Sequence, residues 1–184
     1  MRTSIFTATL AALAAVMLPA PAQAASNIEC VLSIRSEEVD STVFAAYRKG
    51  SNIGEALMGL RLAEIQACIQ NNKWTSQATE SATRVLLGEI LAAGVRKEMT
   101  AKALPTGALT AALVTFMDGL GTDKARRAAN GEMDRDVIST LVTRLIAENV
   151  ITTAQLSNNN GVMIGEYLSA YANMSIYRQD FKAQ

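Results

Sequence analysis

Apolar residues recur every three or four positions along most of the chain, and no stretch keeps the strict alternation of a half-buried strand. Met58, Leu62, Ile65 and Ile69 form one stripe, and Ile53, Leu57 and Leu60 form a second on another face of the same segment. Two stripes predict a helix packed on two sides, near the centre of a bundle. Leu87, Leu91, Val95 and Met99 make a ladder within a helix predicted from Gln77 to about Lys102, where Gly94 permits a close neighbour or a bend. The clearest amphipathic segment places Val137, Ile138, Leu141, Val142, Leu145 and Ile146 between polar positions. A last helix, Val162 to Arg178, carries Met163, Tyr167, Tyr171 and Met174 on one side, a stripe expected to pack in the core.

The punctuation between these runs is equally legible. Ser36 before Glu37, Glu38 and Asp40 predicts a capped helix start, with a stop at Gly50. Ser51 or Asn52 caps the next helix, which ends in the turn Asn71–Lys73. Trp74, ahead of a Thr75 or Ser76 cap, is placed to staple back onto the first helical turns. Pro105 opens a helix from about Thr106 to Leu120 that Gly119 and Gly121 end. Ile28–Ile34 is one or two helical turns or a brief strand, and short turns are expected at 124–129 and 151–156. The expected fold is all-α: a single helical-bundle domain of about six or seven helices over residues 25–184, with a candidate division near 104–106.

The first 24 residues have a different character. Arg2 and the α-amine precede the uncharged run Ile5–Leu18, prolines 19 and 21 follow, and Ala22-Gln23-Ala24 supplies small residues for a peptidase. This is the three-part pattern of a cleaved signal peptide, too short for a relaxed membrane span of ~20 residues. Export would place Cys30 and Cys68, the two cysteines of the chain, in an oxidising space where they pair. The loop they close is worth roughly 4 kcal/mol of chain entropy.

Composition narrows the chemistry. Lys and Arg number 17, as do Asp and Glu, so no basic excess exists to displace counterions from a nucleic acid. The absence of histidine removes Ser-His-Asp and Cys-His pairs, His-ligated zinc and a simple histidine pH switch.

Short motifs supply the remaining candidates. Asp118-Gly119-Leu120-Gly121-Thr122-Asp123 resembles the calcium loop of annexin repeats, which implies a further carboxylate about forty positions on; Asn158, Asn159 and Asn160 stand there instead. A Gly-capped helix end followed by an Asp cap is the plainer expectation. An EF-hand register on Gly131 would put Arg126 and Val137 where acidic ligands belong, so those acids are expected to open the next helix. Glu80-Ser81 and Tyr171-Ala172-Asn173 resemble fragments of lytic transglycosylases, which implies Glu80 as an acid acting on cell-wall glycan, although the intervening Gly-Leu-Met-Gln motif is missing. Arg126-Arg127 is expected to be a solvated pair, and Asn173-Met174-Ser175 an incidental sequon within a helix.

The function expected from these observations is a non-enzymatic interaction or binding module of the cell envelope, periplasmic or secreted. It has no cofactor, no metal, no nucleic-acid partner and no membrane span in the mature chain, and its partner would be a protein or a second copy. A carboxylate-dependent cell-wall hydrolase or lyase stands second, with Glu80 as its acid. An apolar-ligand carrier stands third.

Overall fold

The computed structural model describes residues 27–156 and 159–184. The signal-peptide reading of residues 1–24 therefore lies outside the described residues. All regular structure among the described residues is helical, as the apolar spacing predicts: α1 (Glu29–Leu32), α2 (Glu37–Arg48), α3 (Ile53–Asn72), α4 (Ser76–Ala101), α5 (Thr106–Asp118), α6 (Thr122–Ala129), α7 (Arg135–Ala147), a 3-10 turn (Thr153–Leu156) and α8 (Asn160–Lys182). The two weakest apolar segments, 28–34 and 124–129, become α1 and α6, which accounts for the helix beyond the expected number.

Local chemistry sets the boundaries. Ser36 Oγ accepts from the Val39 N–H at 3.2 Å, and Asn52 Oδ1 accepts from Gly54 and Glu55 N–H at 3.0 and 3.2 Å. Thr75 Oγ1 accepts from the Ala78 N–H at 3.0 Å, satisfying a donor that the first turn of α4 would otherwise leave open. The turn into α4 passes through Lys73 in the left-handed region at φ 52°. Gly121 precedes α6 at φ 77°, a conformation that costs glycine little.

α4 is the organising element. It packs along α8 for most of its length, with α2 and α3 on one side and the α5–α7 group on the other. A Cβ at Gly88 would lie 2.8 Å from Met174 Cγ and 3.1 Å from the Ala170 carbonyl oxygen, so glycine is what lets α4 and α8 come this close. A Cβ at Gly94 would lie 2.2 Å from the Phe44 ring, which occupies that space.

The core forms two clusters. The N-terminal one gathers Val31, Val39, Val43, Leu57 and Ile65 against Leu86 and Ile90. The C-terminal one gathers Val95, Met99, Leu109, Leu113, Leu145 and Leu168. The chain passes from one to the other inside α4, between Ile90 and Ala92, whereas Leu104 is buried within the C-terminal cluster.

Two details differ from the sequence expectation. α3 is not the central helix: Arg61 leaves helical geometry at φ −136°, ψ 23°, and the break turns Leu62 outward to 48% exposure while Ile65 stays buried. Trp74 is buried, but its ring meets Phe181 at 5.1 Å in an edge-on arrangement, so it pins the end of α8 and not the first turn of its own helix.

Cys30 and Cys68 form a disulfide with Cα atoms 5.8 Å apart. It ties α1 across the last turn of α3, where Asn72 Nδ2 also donates to the Cys68 carbonyl at 2.8 Å. No described helix is long and apolar enough to cross a membrane.

Candidate functional site

A groove of about 730 Å3 runs along α4, over the seam between the two core clusters. Its α4 wall comes from one stripe at near-helical spacing: Ser76, Thr79, Thr83, Leu87, Leu91 and Val95. Leu87 packs on the N-terminal cluster and Leu91 on the C-terminal one, so the groove exists because neither cluster covers the junction. Ile53 and Met58 of α3 line the facing wall. α8 contributes Glu166, Ser169, Ala170 and Asn173, and Asn130 and Gly131 close the side after α6.

The end near Val95 is built from fixed charges. Arg48 reaches Glu98 and, at 2.8 Å, Glu166 Oε1. Its guanidinium lies 4.9 Å from the Phe44 ring centroid and 5.2 Å from that of Tyr47. Burial, with Glu166 next, raises the Tyr47 phenol above its ordinary pKa of 10.0. Below this end, Tyr167 is fully buried and its hydroxyl takes hydrogen bonds from Arg96 at 2.7 and 3.1 Å. Thr110 Oγ1 gives its hydrogen to the Thr106 carbonyl, so the Tyr167 hydroxyl is the donor to Thr110 at 2.9 Å. The Met163–Met174 stripe is thus core as expected, with its one buried hydroxyl paired at both faces.

The opposite end is polar and open. Arg84 Nε donates to Glu80 Oε1 at 3.0 Å, with the side chains 40% and 61% exposed, and the guanidinium lies 4.7 Å from the Tyr177 ring centroid. Asn173 Nδ2 donates to the Ala129 carbonyl at 3.1 Å and Ser169 Oγ to the Ala128 carbonyl at 2.7 Å, which caps α6 from α8. Asn173 Oδ1 is buried and accepts no hydrogen bond among the described residues, an unusual state for a polar atom.

The other sequence candidates resolve as follows. Glu80 and Asn173, from the two fragments that resemble transglycosylases, line the same groove, but Glu80 is solvated and held by Arg84, with no apolar pocket around it. Arg126 and Arg127 are not a free pair: each forks onto a carboxylate, Arg126 on Asp180 at 2.7 and 3.0 Å and Arg127 on Asp134 at 2.9 and 2.8 Å. The 118–123 loop joins α5 to α6 with Gly121 as the cap and Asp123 in the first turn. No group of three or more metal-ligating side chains occurs among the described residues.

No family model, no curated protein and no solved structure matches the chain. The groove itself is therefore the basis for a functional reading. Sequence reasoning missed it because its α4 wall is a single stripe that looks like any amphipathic face. The one available signal was the change from Ser, Thr and Thr to Leu, Leu and Val along that stripe.

Proposed function

We propose that the chain is an exported, non-enzymatic binding module of a cell envelope, working in the periplasm or outside the cell. The observation that carries this reading is the α4 groove, whose volume lies within the ~300–1,000 Å3 usual for ligand sites and whose floor is apolar with a polar rim. The disulfide supports an oxidising compartment. The signal-peptide pattern of residues 1–24 points the same way. Native mass spectrometry of protein purified gently from its own envelope tests it. A retained small molecule or partner chain is expected; a bare monomer that captures nothing from envelope extract would overturn the reading.

The second reading is a carboxylate-dependent cell-wall hydrolase or lyase, favoured by one observation: Glu80 and Asn173 share the groove. It predicts turnover of purified cell-wall glycan that Glu80→Gln abolishes. Solvation of Glu80 and its ion pair with Arg84 weigh against it, since a general acid needs desolvation to hold its proton at neutral pH.

A further inference from the structure

The α4 wall of the groove has a polarity order that a generic packing surface lacks. Three hydroxyls, Ser76, Thr79 and Thr83, are followed at the same spacing by three hydrocarbon side chains, Leu87, Leu91 and Val95. At 1.5 Å per residue the wall is about 28 Å long, and the stretch from Thr83 to Val95 about 18 Å. A bilayer's hydrocarbon core of ~30 Å gives one leaflet's chain a reach of about 15 Å, so the apolar stretch matches one acyl tail.

The width excludes larger guests. The volume of about 730 Å3 over that length gives a mean section of about 26 Å2. A helix ~10 Å across needs about 80 Å2. An extended peptide, with strand and sheet spacings of ~4.8 and ~10 Å, needs about 48 Å2. A single methylene chain, ~4–5 Å wide at carbon contact distance, needs about 20 Å2 and fits; two side by side do not.

The rim specifies the head group. Where hydroxyls give way to hydrocarbon, Glu80 and Arg84 sit side by side as a solvated pair. Arg84 uses one of its five N–H donors on Glu80, which leaves others suited to a phosphate, while Glu80 suits an ammonium. A purely anionic head would meet Glu80 as a like charge. We propose that the groove binds a zwitterionic lysophospholipid, its single acyl chain along Leu87, Leu91 and Val95 and its phosphate and amine over Arg84 and Glu80. This inference rests on the reading of the chain as a binding module.

The test is calorimetric titration of the full, oxidised chain with myristoyl-lysophosphatidylethanolamine below its micelle-forming concentration. Sodium myristate and vesicles of diacyl phosphatidylethanolamine serve as the other arms. Saturation at one lysolipid per chain is expected. Myristate should bind ~10-fold or more weakly and vesicles not measurably, and Thr83→Trp, which fills the groove, should raise Kd by ~10-fold or more. Arg84→Gln, a change on the exposed rim that keeps the fold, should raise Kd for the lysolipid several-fold and leave that for myristate nearly unchanged. Equal binding of myristate, or an Arg84→Gln variant with wild-type affinity, would overturn the head-group assignment and with it the proposal. Failure of all three amphiphiles, with native mass spectrometry still showing another retained molecule, would overturn this inference alone; failure of both measurements would overturn the binding reading too.

Discussion

Glycines show how single positions carry the packing. Gly94 faces the Phe44 ring at a distance no Cβ could share, and that ring is itself held under Arg48. Gly94→Ala should therefore destabilise the protein by about 1–3 kcal/mol despite the better helix propensity of alanine. Gly59, in the exposed part of α3, has nothing within 4 Å of a built Cβ, and Gly59→Ala should stabilise by up to about 1 kcal/mol. Urea midpoints of the two variants check the pair; the same sign for both would refute the packing argument. Tyr47 gives a second test. Its folded pKa is raised above the unfolded value, so its contribution to stability is complete below pH 10 and is lost as pH rises through the folded value, because the unfolded chain releases the proton first. Stability measured against pH should begin to fall near pH 10, and the fall should be shallower in Tyr47→Phe.

Helix boundaries were readable at the level of elements because caps act locally. Ser36, Asn52 and Thr75 each bind backbone donors within three residues, so sequence neighbours alone decide where α2, α3 and α4 begin. Thr75→Ala should cost about 1 kcal/mol and loosen the first turn of α4, where the polar end of the groove begins; hydrogen exchange at Ala78 and Thr79 would report it. Helix faces were less readable. The Leu62 stripe presumes a continuous helix, and the break at Arg61 rotates everything beyond it. Trp74 was rightly read as a packing residue, but its partner Phe181 lies over a hundred positions away, beyond the reach of any local rule.

Across the whole molecule, the disulfide lies inside the N-terminal cluster while α4 and α8 span both clusters. Reduction should lower global stability by roughly 4 kcal/mol, the loop-entropy figure, provided the reduced chain keeps no residual structure. The loss should be uneven. Amides of α1–α3 should gain exchange rate on reduction well before those of α5–α8, and uniform acceleration would show that the two clusters unfold as one unit.

The sequence by itself determined that the chain is helical, where its capped helices begin, and which cysteines could pair, because periodicity, capping and cysteine number depend on residues close in sequence or few in count. It also marked Glu80 and Asn173, but as separate fragments. Only the tertiary structure decided that α4 is the central helix, that Arg126 and Arg127 are spent on Asp180 and Asp134, and that a groove opens where two cores meet. Those outcomes depend on which surfaces are left uncovered after distant segments pack, and that is a property of the assembled helices, not of any one stretch of chain.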